Sequence, residues 1–281
     1  VVRSAAGGDS PVAGPDRPTA GRPLQVWAYI ISWTGREDAA RHIAARLVGE
    51  VDRLTVVYSN ASGSTASGPG TWQQVPDEYF YGRKFEASLA AFAGDVMLQI
   101  QADASIDDWA GLAARCRHVF STRPAVGVWS PHVDYSWWSL PVTDVARDAD
   151  GLHQVTLTDS VVWAISRDVC DRLRMLDYGV NKYGWGIDIA AALFSHNHGL
   201  DVLLDTTVQV AHPSTTAYSE AEAEAAMGDF FNGLTACERR TFALLKAHHR
   251  LRREEIARLE RPDVPPGRLA SLMERVKRLV R

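Results

Sequence analysis

The residues best placed to do chemistry are the run Tyr183-Gly184-Trp185-Gly186-Ile187-Asp188 and, further on, Val210-Ala211-His212-Pro213. Two glycines around a tryptophan make a tight loop. That loop delivers Asp188 to the first turn of an amphipathic helix, IAAALFSHNH. A carboxylate near the positive end of a helix dipole stays ionised and can accept a proton. The alternative is a glycine-rich turn with Asp188 as helix N-cap. A second candidate lies at the end of DVMLQIQAD, a run that reads as a buried strand. Residues two apart share a strand face, so Gln101 and Asp103 project together where the strand stops. An oxygen donor there suits a hard divalent cation bridging phosphates. The competing role for Asp103 is a cap on SIDDWAGLAARC, whose first turn carries Asp107 and Asp108.

Alternating strand and helix signals would position these groups. LQVWAYII is a β-rich run, GREDAARHIAARLVGEV has helical apolar spacing, and LTVVYSN is a second short strand. FEASLAAFAG reads as a helix ending at Gly94, ahead of the strand that carries Asp103. The glycines and serines of ASGSTASGPG have no packing role that the pattern assigns. The alternation predicts an α/β domain with a largely parallel sheet flanked by helices over residues 23–216. In such sheets ligands bind at the carboxyl ends of the strands. Residues 1–22, rich in Gly, Pro, Ala and Ser, read as a flexible leader. Residues 217–281 read as a charged helical extension opened by a Ser219/Glu222 capping box and broken at Pro262, Pro265 and Pro266.

Composition narrows the classes. The chain has 281 residues, 46% of them hydrophobic, enough for one substantial core. A formal charge of −4 argues against a nucleic-acid binder held by a basic surface. Cys116, Cys170 and Cys237 lack metal-ligand spacing and read as thiols in a reducing cytoplasm. There is no phosphate-loop pattern, no dinucleotide fingerprint and no His-Glu-x-x-His. Basic residues interleaved with Leu269, Leu272, Val276 and Leu279 suit a helix docked on the domain, or one touching a protein or the inner face of an anionic membrane.

In order, the pieces resemble the glycosyltransferase-A (GT-A) fold, in particular the inverting, family-two-like nucleotide-sugar transferases. The stretch Tyr29-Ile30-Ile31-Ser32-Trp33 matches the first strand and its nucleobase loop. Tyr58-Ser59-Asn60 matches the polar end of the second strand. Gly82-Arg83-Lys84, Gly94-Asp95 and Gln101-Ala102-Asp103 follow the family's succession into its Asp-x-Asp strand. An acceptor-side segment, Thr158 to Arg167, then Gly184-Trp185-Gly186-Ile187-Asp188, and then His212 complete the series over residues 24–216.

The resemblance implies hexosyl transfer from a nucleoside-diphosphate donor, UDP above all, to a carbohydrate or other hydroxyl acceptor. The implied cofactor is Mn2+ or Mg2+ held by Asp103 and His212, and the implied general base is Asp188. Ser32, Trp33, Asn60, Arg83, Gln101 and Asp103 would meet the donor. Asp159, Trp185, Gly186 and Ile187 would meet the acceptor. Polysaccharide biosynthesis at a cytoplasmic site would fit. Two positions depart from the pattern: Gln101 replaces the first carboxylate, and Ile187 stands where an acid is frequent. The alternatives are a binding module of the same fold without turnover, kept alive by Gln101, and a retaining transferase.

Trp129, Trp137 and Trp138 surround SPHVDYSWW and suit either an acceptor wall or core. Asp159 could equally be a turn residue. His196 and His198 are expected to serve a helix C-terminus, and His248 and His249 to face solvent.

Overall fold

The computed structural model describes residues 22–148, 150–213 and 218–260. Nine strands form one sheet in the order β3-β2-β1-β4-β8-β5-β9-β7-β6. They are β1 (Val26–Ser32), β2 (Arg53–Tyr58), β3 (Thr71–Gln74), β4 (Val96–Gln101), β5 (Val126–Val133), β6 (Asp144–Arg147), β7 (Leu152–Val155), β8 (Val162–Ser166) and β9 (Asp201–Val210). The pairs β3/β2, β2/β1, β1/β4 and β5/β9 are parallel, and only β7 and β8 run against the rest. The protein is therefore an α/β domain with a mixed, mostly parallel sheet, as the alternation predicts. The short strands β3, β6 and β7 have no comparable apolar run, whereas β8 does, Val161 to Ile165.

Each central strand is covered on both faces, which is why it reads as a continuous apolar run. Ala28 and Ile30 enter one core with Ala40, Ile43 and Leu47 of α1 (Glu37–Leu47) and with Leu112, Cys116 and Val119 of α3 (Trp109–Thr122). Tyr29 and Ile31 point the other way. They meet Phe85 and Leu89 of α2 (Tyr81–Ala91), Val169 of α5 (Arg167–Leu173) and Ile187 of α6 (Ile187–Asn197). Helix α6 is buried on most of its circumference, between the sheet and the last helices. A short α4 (Leu140–Thr143) precedes β6.

Helix α7 (Glu220–Phe230), a single 3-10 turn and α8 (Ala236–Glu260) lie against the second face. Ser219 caps α7 by accepting from the Glu222 amide, but the Glu222 side chain accepts from the Tyr183 hydroxyl at 2.6 Å, so only one half of the expected capping box forms. The reciprocal box stands at α8: the Glu238 amide donates to the Thr235 hydroxyl at 3.2 Å, and the Glu238 carboxylate accepts from the Thr235 amide at 2.7 Å and from Arg172 in a bidentate pair at 2.8 and 2.6 Å. His249 does not face solvent. It is 6% exposed, with Nε2 2.6 Å from the Thr156 hydroxyl and its ring 6.1 Å from that of Trp138. Two adjacent histidines in a basic run carry no sign of which one faces inward; the helix phase decides it. Residues 1–21 of the leader, and Leu269, Leu272, Val276 and Leu279, lie outside the described residues. No described helix is long and apolar enough to cross a membrane.

Candidate functional site

The ends of β1, β2, β4, β5 and β9 and the start of the reversed β8 share one edge of the sheet. A reversed strand inserted between two forward ones puts the turn before it, Thr158 to Val161, beside the end of β4. The Gln101 amide donates to the Val161 carbonyl at 2.9 Å, and the Gln101 side-chain nitrogen lies 3.5 Å from the Ser160 carbonyl.

Asp103 and His212 come together at this edge although 109 positions separate them. Ser105 and Ala211 form an antiparallel bridge, with both backbone bonds 2.9 Å long, and this clamps the end of β4 to the end of β9. The His212 amide also donates to Asp134 Oδ1 at 2.9 Å. As a result His212 Nε2 lies 3.4 Å from Asp103 Oδ1, with both side chains largely covered, at 15% and 13% exposure. Asp103 Oδ1 and both ring nitrogens of His212 are buried without a hydrogen-bond partner. Buried polar atoms are rarely left so. An oxygen and an imidazole nitrogen at that separation fit two neighbouring positions around one divalent cation. Among the described residues no group of three or more His, Cys, Asp or Glu could hold an ion by itself. Asp103 does not cap a helix; the cap of α3 is Asp108, which accepts from the Gly111 amide at 2.8 Å.

Asp188 is the second residue of α6, and the N-cap is Gly186. Gly184 and Gly186 take φ of +82° and +84°. A Cβ on Gly186 would stand 2.6 Å from the Phe231 ring, so glycine is required there by both conformation and space. Trp138 Nε1 donates to Asp188 Oδ2 at 2.9 Å. Burial pushes the Asp188 carboxyl up to about 6, against the bond from Trp138 and with the repulsion of Asp159. Burial likewise raises Asp159, whose Oδ1 accepts from the Val161 amide at 3.0 Å and which feels His212. Asp159 is therefore electrostatically in reach of both His212 and Asp188. A cavity of about 250 Å3 opens beside them, lined by Asp134, Ser136, Trp138, Thr158 and Asp159 among others.

The other expected residues divide. Ser32 is buried with its hydroxyl unpartnered, and its strand neighbour in β2 is Tyr58. The Asn60 side chain organises its own loop: it donates to Glu37 at 2.9 Å and accepts from the Ser62 amide at 2.9 Å. Trp33 accepts from the Arg36 amide through its carbonyl at 2.9 Å. Arg83 is engaged locally, with Glu86 at 2.9 Å and the Tyr79 hydroxyl at 3.3 Å. The neighbouring Lys84 is the buried cation of that turn, lowered by burial to about 8. The loop expected to have no packing role closes on the domain, since Arg41 donates to the Ser67 carbonyl at 2.8 Å and the Ala66 amide to Tyr58 at 2.8 Å.

Trp129 is core, buried and 3.3 Å from Asp205. Tyr81 has no local sequence signature, yet its hydroxyl joins Gln99 at 2.8 Å to the Ser160 carbonyl at 3.3 Å. His198 serves the end of α6, with Nδ1 2.8 Å from the Phe194 carbonyl, whereas His196 reaches out of the helix to the Thr156 carbonyl at 2.8 Å.

An acid–imidazole pair at the carboxyl edge of a mostly parallel α/β sheet, with a raised carboxyl in electrostatic reach of its imidazole, makes up the candidate site. No family model matches the chain, and no curated protein matches its sequence. Among solved structures it is similar to glucosyl-3-phosphoglycerate synthase from Mycobacterium tuberculosis in complex with Mn2+, UDP and phosphoglyceric acid, at 16% identity and a TM-score of 0.49 over 78% of this chain and 79% of that one. It is also similar to CMP:2-keto-3-deoxy-manno-octonic acid synthetase complexed with CTP (13% identity, TM-score 0.42, 75% and 100% covered). A third is UDP-glucose pyrophosphorylase complexed with UDP-glucose (9% identity, TM-score 0.45, 75% and 100% covered).

The bond from Trp138 predicts a measurable effect. It favours the ionised carboxylate, so Trp138→Phe should move the acid limb of any Asp188-dependent pH–rate profile upward by roughly one unit. An unmoved limb in a folded variant would detach Trp138 from the site.

Proposed function

We propose that the protein is an inverting glycosyltransferase of the GT-A type, moving a hexose from a nucleoside-diphosphate donor, UDP above all, to a hydroxyl of a glycan acceptor. The observation that carries this reading is the Asp103–His212 pair, whose facing oxygen and nitrogen are buried and unpartnered at the carboxyl edge of the sheet, with the raised Asp159 in electrostatic reach of both His212 and Asp188. Asp103 and His212 would hold Mn2+ or Mg2+, which would supply Lewis-acid neutralisation of the departing diphosphate. Ser32 at the end of β1, and Asn60 through its loop, would border the nucleoside. Gln101, tied to Ser160, would offer its amide to a ribose hydroxyl. Trp33 and Arg83 complete the proposed donor side.

On the acceptor side, Trp185, Gly186 and Ile187 shape the loop that presents Asp188. A carboxylate raised to about 6 is ionised at neutral pH and still basic enough to take a proton. It would remove the acceptor hydroxyl's proton as that oxygen bonds to the anomeric carbon and the bond to the diphosphate breaks. Asp159 would orient the acceptor hydroxyl. A single displacement needs no enzymic nucleophile.

The test is UDP release from a panel of UDP-sugars, with Mn2+, with Mg2+ and with chelator. Cation-dependent release from at least one donor is expected. Tight UDP binding with no release from any donor would favour the binding-module reading, for which Gln101 in place of a carboxylate speaks.

A further inference from the structure

Beyond Trp138 the site continues into aromatic surface. Trp137 is 62% exposed, and its ring lies 6.2 Å from that of Trp185 at 55°. Trp185 Nε1 donates to the Tyr218 hydroxyl at 2.9 Å. Tyr218 stacks on Tyr183 at 4.8 Å and meets Phe80 edge-on at 6.3 Å. At the far end Lys182 Nζ lies 4.8 Å from the Tyr183 ring and 5.2 Å from that of Phe80, itself 38% exposed. The rings come from the residue before α2, the segment after β5, the glycine loop and the residues before α7, so four separate parts of the chain converge on one face.

This layer is fixed by its own contacts: Tyr183 is buried and its hydroxyl donates to Glu222 at 2.6 Å, while Trp137 and Phe80 keep ring surface exposed and the Tyr218 hydroxyl and Lys182 ammonium lie among the rings. An aliphatic tail would gain little from the indole N–H, phenol and ammonium groups among the rings. A sugar offers an apolar C–H face to a ring and hydroxyls to those groups. Trp137 is adjacent in sequence to Trp138, which holds Asp188, so the layer runs outward from the reacting carboxyl.

We infer that this layer is an extended subsite for an oligosaccharide, taking the acceptor's sugars beyond the one that reacts. The inference rests on the transferase reading for its direction and on the rings alone for its ligand class. Binding then grows with chain length, and Trp137 accounts for much of the growth.

The test is calorimetry of the full chain with malto-, cello-, chito- and manno-oligosaccharides of one to five residues, in the presence of UDP and Mn2+. In at least one series the Kd should fall about tenfold from one residue to three, and Trp137→Ala should erase that gain. Tyr218→Phe, which keeps the ring and loses the bond to Trp185, should weaken the longer sugars by a smaller factor. No gain with length in all four series, or a gain that survives Trp137→Ala, would overturn the subsite. UDP release measured alongside separates the two claims. Length-dependent binding through Trp137 with no UDP release leaves the subsite and removes the transferase. UDP release with no effect of length does the reverse.

Discussion

Asp188→Asn is expected to lower the turnover number by about a hundred- to ten-thousand-fold, the usual worth of a positioned general base. Asn keeps the size and can still accept from Trp138 Nε1, so the geometry around α6 should persist. UDP affinity should stay within about twofold, because the base serves the acceptor. The wild-type rate should climb as pH rises through about 6 and level off above it, since the base works unprotonated. Stability runs the opposite way. A carboxyl whose folded pKa is raised above its unfolded value contributes most below the unfolded value near 3.9, and that contribution is lost as pH rises through about 6. An uncharged Asn avoids this loss, so the variant should be more stable at neutral pH by about 1–3 kcal/mol. A slower, sturdier protein is the signature of a buried base. If Asp188 were only a turn residue, the gain in stability would remain, since it follows from burial, but the rate would stay near the wild type; steady-state rates decide between the two, and thermal unfolding of the same preparation shows that the variant folds.

The second large effect concerns the Asp103–His212 pair. Unmutated protein should bind UDP at least about tenfold more tightly with Mn2+ than with chelator, and Asp103→Ala should abolish that difference. His212→Ala should do the same. Neither change should unfold the protein, because Asp103 Oδ1 and the His212 ring nitrogens make no hydrogen bonds whose loss would be felt. Calorimetry of UDP under both conditions measures it. Equal affinity with and without cation in the unmutated protein would refute the metal assignment.

The core strands and the glycine–tryptophan loop are legible because each has a strong local signature. LQVWAYII and DVMLQIQAD are apolar runs long enough to be central strands, and both are. The two glycines around Trp185 signal a special backbone, and both have positive φ. Asp103 and His212 could be nominated separately at strand ends, but their meeting depends on the Ser105–Ala211 bridge, which no local pattern foretells. The same holds for Trp138, whose bond spans 50 positions to Asp188, and for β8, whose reversed direction brings Ser160 to Gln101. His249 shows the limit most plainly. Its exposure is set by how α8 rolls onto α4 and α6, a tertiary choice that a charged, weakly patterned helix leaves open.

The most direct test is proton NMR of the sugar first formed when the protein turns over a UDP-hexose, with water serving as acceptor if no other is present. A single displacement assisted by Asp188 predicts that an α-linked donor gives the β-anomer first, before mutarotation mixes the two. The α-anomer appearing first would require an even number of displacements or front-side attack, and would contradict the role assigned to Asp188.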